Sequence, residues 1–463
     1  RLAPALLNIS NELKISMRNV NFTLEGVGEW EVLVPPTVYP PKEDSMMLCR
    51  VVSELPVNHG CKALEIGCGS GLVSIVLASK GWKVTSCDVN PYAVSSTRGN
   101  MEMNGLSEGH KVIESGVGEG MSIPDGTDLI VWNLPYLGKD EADHGIIGEM
   151  EEAAFSDIPH GGWGGELLRI LEDENSSLCD EVLVILVMRT EPEGDSKVLE
   201  WEEKGWSWRS LEAERYGTEK IEVIGFWRTG SGVEATVLET CESSMDEAAL
   251  MPVNGWQRVF SKAQTKGRGR GGTDWISEEG GVFATWNLDS ELLDYLTPGL
   301  IQTSIGALVS DTLGANMKWP NDIIDDEWRK MGGVLMESSN NDAIRVGVGV
   351  NRNDFQKGGV SGSGWERSIG PIDAAEVFLR IDRRISSIFE NTGMLAPPEP
   401  EWLTSTSWKS LSRSLSRGVL GSMQGNLVRP CGLNVKGEIE VVGAERIALV
   451  RELDKIEWIS LDD

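Results

Sequence analysis

The sequence contains very little histidine: four residues among 463, of which the last is His160. Histidine is the commonest general base near neutral pH and a frequent metal ligand. The chain beyond residue 160 is therefore not expected to hold a Ser-His-Asp hydrolase or a zinc enzyme. Chemistry in that part of the chain has to depend on lysine, arginine, carboxylates and backbone amides.

Paired cysteines and long apolar runs are also missing. The seven cysteines are scattered, odd in number, and form no C-x-x-C pair. This usage is typical of a reducing compartment and predicts neither a disulfide framework nor a structural zinc site. The longest apolar run, 182–188, is far too short to span a membrane. Because no signal peptide is recognisable either, we expect a cytoplasmic protein that has no membrane partner.

Positive charge is scarce, since the chain has 42 basic and 72 acidic residues and a formal net charge of −30. Such a balance argues against DNA binding, because neutralising phosphates requires clustered cations. One window differs: residues 262–272 hold Lys262, Lys266, Arg268 and Arg270 and no acid. Glycines between the arginines let the backbone approach a ligand, so the window suits a loop that folds over phosphate or carboxylate. A mobile basic loop that touches RNA nonspecifically remains the alternative.

Segments with strand and helix periodicity alternate through the first half of the chain. Strands are predicted at 63–66, 83–89, 128–132, 181–187 and 220–227. Helices are predicted at 72–79 (interpreted as amphipathic), 91–103, 163–172 and 196–204. This alternation predicts a mostly parallel, doubly wound sheet.

Three features of this half carry chemistry, each placed directly after a predicted strand. The turn 67–71 has the pattern G-x-G-x-G, which lets a cofactor approach the backbone and places its carboxylate at a helix N-terminus. A nicotinamide cofactor is the weaker interpretation, because the spacing is not G-x-G-x-x-G. Asp88 can accept from both hydroxyls of a ribose. In Asn133-Leu134-Pro135-Tyr136, the amide and a following carbonyl can accept from an amino group that stacks on the tyrosine.

These features, preceded by the segment Tyr39 to Ser45, resemble the HemK-like class I methyltransferases over about residues 30–229. That family transfers a methyl group from S-adenosylmethionine to the glutamine of release factors or to related amino groups. The resemblance implies that Asn133, Pro135 and Tyr136 position the substrate. It also implies that S-adenosylmethionine contacts Ser45, Glu65, Gly67, Gly69, Asp88 and Asn133. The sequence departs from the family at Leu134, where proline is usual, and no acid that would recognise adenine is evident near 114–117.

The second half holds a different set of motifs, which indicate anion chemistry. A ligand that bears a carboxylate or phosphate would need donors such as Lys330, Arg268 and the amides of Gly332 and Gly333. Considered alone, a lysine beside two glycines is a solvated turn, and Ser243 and Ser244 serve as helix caps as readily as ligand contacts.

In order, the motifs at 243–244, 264–275, 318–322, 330–337 and 347–351 resemble those of biotin–protein ligases. The resemblance covers about residues 235–392. It implies that biotin and ATP, the latter with Mg²⁺ but no fixed metal site, form biotinyl-5′-AMP, from which a lysine of a biotin carrier protein is biotinylated. Lys330, Arg268 and Arg270 would be catalytic. The implied contacts to biotin and nucleotide are Ser243, Ser244, Gln264, Gly267, Arg268, Gly269, Arg270, Trp275, Lys318, Asn321, Asp322, Lys330, Gly332, Gly333, Gly347 and Asn351. Departures from the family are Met245, Gly271 and Thr273.

We therefore expect a fusion of two enzymes. An α/β Rossmann-like methyltransferase would precede an α+β ligase domain with a mixed or antiparallel sheet and a small C-terminal β-barrel. The predicted divisions are 1–29 (extension), 30–229 (methyltransferase), 230–235 (flexible linker), 236–395 (ligase) and 396–463 (SH3-like barrel). Expected partners are the biotin carboxyl carrier domain of a carboxylase and a translation release factor, and a homodimer is compatible with the sequence. The alternative is a first half that binds its cofactor but only scaffolds the ligase.

Overall fold

A computed structural model describes residues 18–58, 60–135, 159–173, 180–231, 233–269, 272–338, 343–357, 359–416, 419–443, 447–450 and 456–460. The chain divides into two compact units after Arg228, with Thr392–Met394 grouped with the first. Within the described ranges, no helix is both long and apolar enough to cross a membrane.

The first unit is built on a seven-stranded sheet in the order β5-β4-β3-β6-β7-β9-β8, preceded by a separate hairpin of β1 and β2. Strands β5, β4, β3, β6 and β7 are parallel, while β9 runs antiparallel to both of its neighbours, β7 and β8. The mostly parallel sheet predicted for this half is confirmed. The elements are β1 (Arg18–Leu24), β2 (Gly28–Val34), α1 (Glu43–Glu54), β3 (Lys62–Ile66), α2 (Leu72–Ser79), β4 (Lys83–Asp88), α3 (Pro91–Met103), β5 (Lys111–Glu114), β6 (Leu129–Asn133), α4 (Gly162–Leu171), β7 (Leu183–Glu191), α5 (Val198–Glu203), β8 (Trp206–Tyr216) and β9 (Glu219–Arg228).

The topology of this sheet places the candidate site. From β3 the sheet extends to β4 and β5 on one side and to β6 and β7 on the other. The carboxyl ends of β3 and β6 therefore border the switch point, where open α/β sheets form a ligand crevice. Helix α2 has the predicted bounds, but its amphipathic interpretation is wrong, because Leu72 to Ala78 are all buried. The reason is that α1 and α3 pack around it over the sheet, which leaves no solvent face.

The hairpin of β1 and β2 was not evident from the sequence, although β2 alternates buried Trp30, Val32 and Val34 with exposed residues. It is held by side chains of α3. The amide of Asn100 accepts from Leu33 N (2.9 Å) and donates to Leu33 O (2.9 Å) and to Ser70 O (2.8 Å). Asn100 thus ties the hairpin to the glycine-rich turn after β3.

The second unit contains a mixed seven-stranded sheet, a two-stranded hairpin and an antiparallel five-stranded sheet. The first has the order β10-β11-β12-β16-β15-β14-β13, in which only β10 and β11 are parallel. The last has the order β22-β21-β20-β19-β23, and its closure into a barrel remains a prediction. The elements are β10 (Thr236–Leu238), α6 (Ser244–Ala248), β11 (Gln257–Ser261), β12 (Val282–Asp289), a 3-10 helix (Ser290–Asp294), α7 (Pro298–Thr312), β13 (Asn316–Lys318), β14 (Asp322–Ile324), β15 (Lys330–Ser338), β16 (Ala343–Val350), β17 (Phe355–Lys357), β18 (Val360–Gly362), α8 (Glu366–Ile369), α9 (Ala374–Phe389), α10 (Pro400–Leu415), β19 (Val419–Met423), β20 (Asn426–Leu433), β21 (Ile439–Val442), β22 (Ile447–Val450) and β23 (Glu457–Ser460).

Two features of this unit differ from what the sequence suggested. The flexible linker expected at 230–235 begins with Gly230, which is buried, has φ of +80°, and donates its N–H to the Glu390 carboxylate at 3.0 Å. A Cβ there would lie 2.6 Å from the Arg258 guanidinium, so this position is packed rather than free. Residues 396–400 have the proline-rich composition of a linker, yet helix α10 begins among them at Pro400 and buries Leu403 and Leu411 in the core.

A buried ion pair joins α9 to the sheet. Asp382 is 1% exposed and accepts from Arg258 Nε (2.8 Å) and from the indole N–H groups of Trp256 (2.9 Å) and Trp286 (2.8 Å). Both oxygens of the carboxylate are therefore satisfied, and each donor lies on or beside β11 or β12. Removing one partner of such a pair leaves the others buried without compensation.

We expect Asp382→Ala to lower the free energy of unfolding of the second unit by about 3–5 kcal/mol. The control is Asp373→Ala, at the N-cap of the same helix, where the exposed side chain accepts from Ala375 N and removal should cost about 1 kcal/mol. Urea denaturation followed by tryptophan fluorescence measures both. Equal losses of unfolding free energy in the two variants would contradict the prediction that the buried ion pair stabilises the unit more than the helix cap does.

Candidate functional site

The glycine-rich turn after β3 lies at the switch point of the first sheet. Gly67, Gly69 and Gly71 have φ of +66°, +56° and +85°. A Cβ on Gly71 would lie 2.9 Å from Thr97, so this position has no room for a side chain. The turn is pinned to the neighbouring strand, because Cys68 N donates to Cys87 O at 3.0 Å. Helix α2 starts directly after it, so the positive end of the helix dipole lies at the crevice.

Asp88 ends β4 beside this turn. Its two carboxylate oxygens accept from Gly69 N (2.9 Å) and Asn90 N (2.9 Å), which aligns the carboxylate with the glycine-rich turn. Burial raises the pKa of the Asp88 carboxyl, and these two backbone N–H groups partly offset the shift. Each oxygen keeps a lone pair that a hydroxyl of a ligand could use.

Glu65 lies deeper than expected for a ligand contact. It is 4% exposed and accepts from the hydroxyl of Ser74 on α2, which also lies 2.6 Å from the hydroxyl of Ser86. Burial raises the pKa of Glu65 to about 8, and the hydrogen bond from Ser74 acts in the opposite direction. The contact that the structure shows for Glu65 joins β3 to α2 behind the turn.

Asn133 ends β6 on the opposite side of the crevice. Its amide nitrogen donates to Ser45 Oγ at 3.4 Å, and the Ser45 hydroxyl lies 3.3 Å from Asp44 Oδ1. Asn133 Oδ1 is buried and has no hydrogen-bond partner among the described residues, and the same is true of Ser70 Oγ in the glycine-rich turn. Orphaned polar atoms of this kind are costly unless a ligand satisfies them.

The loop after Asn133 is described only in part. Leu134 is buried in the core, and Pro135 is the last residue described before Tyr136, which lies outside the described residues. The glycines at 161–165 serve close packing: a Cβ on Gly162 would lie 2.6 Å from Ser196 N. Burial of Leu134 gives this departure from the family pattern a packing role.

In the second unit, the two ends of the arginine-glycine loop (residues 267–275) pair through an antiparallel bridge between Arg268 and Asp274. Trp275 N donates to Gly267 O (2.9 Å) and Gly269 N donates to Thr273 O (2.6 Å). Arg270, predicted to be catalytic, lies outside the described residues together with Gly271. Arg268 forms ion pairs with Asp246 (2.7 Å) and Glu337 (3.4 Å).

Lys330 lies where three other predicted residues meet. Its ammonium is 2.5 Å from Asp322 Oδ1 and 5.1 Å from the centre of the Trp275 ring, while Lys318 Nζ lies 3.8 Å from Asp322 Oδ2. The indole of Trp275 packs on a glycine, since a Cβ on Gly349 would lie 2.9 Å from its Nε1. That Nε1 is buried and has no partner among the described residues.

Gln264 and the two serines lie together at the start of α6. Ser244 N donates to Gln264 Oε1 (2.7 Å), and Thr285 Oγ1 donates to Ser244 Oγ (2.9 Å). Ser243 stands at the N-cap but forms no capping hydrogen bond through its side chain, so simple capping does not account for it. Met245 is buried over Gly347, where a Cβ would lie 2.8 Å from its sulfur.

The remaining residues that were predicted to contact biotin or nucleotide form hydrogen bonds with the protein backbone or pack closely against it. Asn321 Nδ2 donates to Val334 O (2.7 Å), while Asn351 accepts from Glu278 N (3.0 Å) and donates to Ile276 O (3.2 Å). A Cβ on Gly332 would lie 2.8 Å from Gly349 O, whereas Gly333 has more room. These residues hold the strands beside Lys330 in close register.

Residues 44–172 match the family model of the methyltransferase small domain, and residues 249–351 match that of the biotin/lipoate A/B protein ligase family. The chain joins a methyltransferase domain to a biotin/lipoate-type ligase domain. Both domains belong to families of enzymes, which confirms the resemblances inferred from the motifs.

Individual proteins are similar to parts of the chain. A putative protein N5-glutamine methyltransferase of Methanocaldococcus jannaschii is 34% identical over 119 residues, which cover 26% of this chain and 55% of that protein. A release factor glutamine methyltransferase of Shewanella oneidensis is 32% identical over 113 residues, which cover 24% of this chain and 38% of that protein. The chain therefore spans about half or less of the length of these relatives. A biotin protein ligase from Aquifex aeolicus, solved with biotin and ATP, is 24% identical, with coverage of 49% of this chain and 99% of that chain and a TM-score of 0.38.

Sequence reasoning missed the residues that hold these sites together. In the methyltransferase domain they are Ser74 and Asn100, and in the ligase domain Asp246 and Glu337. Asp246 lies in the first turn of α6 and Glu337 belongs to the 330–337 motif, but neither was predicted to pair with a cation. Which acid meets which cation depends on strands and helices that are distant in sequence.

The raised pKa of Glu65 predicts that the stability of the methyltransferase domain depends on pH. Its value of about 8 lies above the ordinary 4.5, so the folded protein binds a proton that the unfolded chain has lost between these values. Stability should therefore fall as pH rises from about 5 to 8, with a slope of at most about 1.4 kcal/mol per pH unit. Glu65→Gln should remove this slope, whereas Glu54→Gln, at an exposed carboxylate, should retain it. The measurement is urea denaturation at several pH values, and identical slopes in wild type and Glu65→Gln would contradict the prediction.

Proposed function

We propose that the chain is a bifunctional enzyme, in which residues 236–395 form an ATP-dependent biotin–protein ligase and residues 30–229 an S-adenosylmethionine-dependent N-methyltransferase. Residues 396–463 would form an SH3-like barrel, with 1–29 as an extension and 230–235 as a linker. The ligase would use biotin and ATP with Mg²⁺ and would modify a lysine of the biotin carboxyl carrier domain of a carboxylase.

The ligase proposal depends most on the environment of Lys330. Its side chain is 44% exposed and forms its ion pair with Asp322, and Arg268 similarly pairs with Asp246. Both cations thus already face carboxylates in partly open positions. A carboxylate or phosphate of a ligand could replace these acids without a change in the type of contact.

These residues account for the chemistry by electrostatics and positioning. A carboxylate oxygen of biotin attacks the α-phosphorus of ATP, the bond to the bridging oxygen breaks, and pyrophosphate leaves. Lys330 and Arg268 stabilise the negative charge that grows on the phosphoryl oxygens. The acceptor lysine amine then attacks the acyl carbon, AMP leaves with the bonding electron pair, and the amine gives up its proton. Orientation of the reactants lowers both barriers, so no histidine is needed.

We expect Lys330→Ala to lower the rate of biotinyl-5′-AMP formation by about 100-fold or more, because the charge at the α-phosphate loses its nearest cation. Lys266→Ala is the control, since Lys266 is an exposed cation of the same basic window and pairs with Glu242. The assay uses labelled biotin, ATP and a biotin carrier domain, with the adenylate and the labelled carrier quantified separately.

A second variant separates the ligase from the RNA-binding alternative. If Arg268→Ala left adenylate formation intact but abolished RNA binding, the arginine-glycine loop would be an RNA contact and the assignment of Arg268 would be wrong.

The methyltransferase proposal depends on Asn133. The crevice offers groups that fit S-adenosylmethionine: the N-terminal end of α2, the Asp88 carboxylate as an acceptor beside the glycine-rich turn, and the orphaned Ser70 Oγ. When bound, this cofactor supplies the electrophilic methyl group. Asn133 Oδ1 would accept an N–H of the substrate, with the Pro135 carbonyl as a second acceptor, which turns the nitrogen lone pair toward the methyl group. We propose a glutamine or amino group of a translation release factor or a similar protein as the substrate.

Asn133→Ala should lower methyl transfer to a release factor by about 100-fold while S-adenosylmethionine affinity changes much less, because the orphaned oxygen serves the substrate. Asn104→Ala is the matched amide control, since Asn104 contacts the hairpin at Glu31. Radiolabelled methyl transfer and calorimetric titration give the two quantities. Cofactor binding by the wild-type chain without transfer to any release factor would favour the scaffold alternative.

The acidic charge and the location of the basic window inside the ligase domain support a role without DNA or membrane partners. We propose a cytoplasmic enzyme, for which a homodimer is compatible.

A further inference from the structure

The turn between β14 and β15 has a buried carboxylate at its centre. Asp325 is 8% exposed, and its Oδ1 accepts from the backbone N–H groups of Glu327 (3.0 Å) and Arg329 (2.9 Å). Its Oδ2 accepts from Arg329 Nε (2.9 Å) and Nη2 (2.7 Å). Four donors therefore converge on one side chain, and the turn is closed from within.

This turn determines the direction in which the Lys330 side chain leaves β15. Ile323 pairs with Gly332 and Ile324 with Lys330, so Met331 is an extra residue in β15 and forms a bulge. Bulges redirect the side chains beside them. The backbone of Lys330 is also held from outside the hairpin, because Lys330 O accepts from Ser363 N at 3.0 Å. With the backbone so constrained, the ammonium lies 2.5 Å from Asp322, on the other strand of the same hairpin.

An outer layer of ion pairs covers the same turn but is much more exposed. Arg329 Nη1 pairs with Asp354 (3.1 Å), and Arg367 pairs with Asp354 (3.0 Å) and Glu327 (2.9 Å). Exposed pairs of this kind contribute little, because solvent screens them. The inner contacts of Asp325 differ, since they combine burial, two backbone donors and the fork geometry of arginine.

We propose that Asp325 is a positioning residue for the adenylation step: it holds the 325–329 turn closed, and the closed turn delivers Lys330 to the phosphate-binding position beside Asp322. This inference rests on the proposed ligase function. Both Asp325 oxygens accept hydrogen bonds within the turn, so its effect passes through the placement of one ammonium group.

The first test compares Asp325→Asn with Glu327→Gln, a matched removal of charge in the same turn. Asp325→Asn should slow biotinyl-5′-AMP formation between about tenfold and 100-fold, the range expected for a misplaced reacting group. Biotin affinity should remain within about twofold of the wild-type value, and Glu327→Gln should change either quantity by less than about twofold. Equal rates in the two variants would overturn the inference. If Asp325→Asn does not fold, as judged by circular dichroism, Arg329→Lys removes the fork contact while it keeps the charge, and the same outcomes apply.

The second test is a double-mutant cycle that a merely structural role would not satisfy. Affinity for biotinyl-5′-AMP is measured by calorimetry for wild type, Asp325→Asn, Lys330→Ala and the double variant. Asp325→Asn should weaken binding in the wild-type background and have no further effect once Lys330 is alanine. Equal weakening in both backgrounds would overturn the inference and leave Asp325 as a stabilising residue only. A wild-type chain that forms no biotinyl-5′-AMP would instead overturn the ligase function itself.

Discussion

In the ligase domain, the predicted site depends on pairing between its cations and the carboxylates of a very acidic chain. Lys330 meets Asp322, Arg268 meets Asp246, and Arg329 meets Asp325. Each pair holds a flexible cationic side chain in one place before any ligand is bound, which lowers the entropy lost on binding. The high content of Asp and Glu therefore has a local use in this site, in addition to its general effect on solubility.

Among the described residues of the methyltransferase domain, backbone N–H groups and side-chain hydrogen bonds, not ion pairs, hold the predicted site in place. Positive φ values at Gly67, Gly69 and Gly71 bring N–H groups to the switch point, and Asp88 ties the turn to the next strand. Asn100 ties the same turn to the β1–β2 hairpin. Two atoms in this region, Ser70 Oγ and Asn133 Oδ1, remain buried without a partner among the described residues. Hydrogen bonds thus tie the crevice together while polar atoms within it stay unsatisfied, a combination typical of a ligand site.

Local sequence predicts where one helix starts but not where another does. Helix α3 begins at Pro91 and is capped by Asn90, whose side chain accepts from Tyr92 N, so local chemistry sets its start. Helix α10 also begins at a proline, yet the surrounding Pro-Pro-Glu-Pro composition suggested a linker. Its buried Leu403 and Leu411 pack in the core of the second unit with the residues of α7. A short proline-rich window cannot reveal such contacts, because they form with residues about a hundred positions away.

The sequence by itself determined the two family memberships, the alternating α/β pattern of the first half, and the bounds of helices such as 72–79 and 91–103. These depend on local periodicity, capping and motif order, which are properties of contiguous residues. Only the tertiary structure decided that Glu65 lies behind the glycine-rich turn against Ser74, that Arg268 pairs with Asp246 and Glu337, and that Asp325 closes the turn before Lys330. The physical reason is that burial and ion pairing depend on which strands and helices become neighbours. Arg268 meets acids 22 and 69 residues away, and no local pattern selects those two among 72 acids.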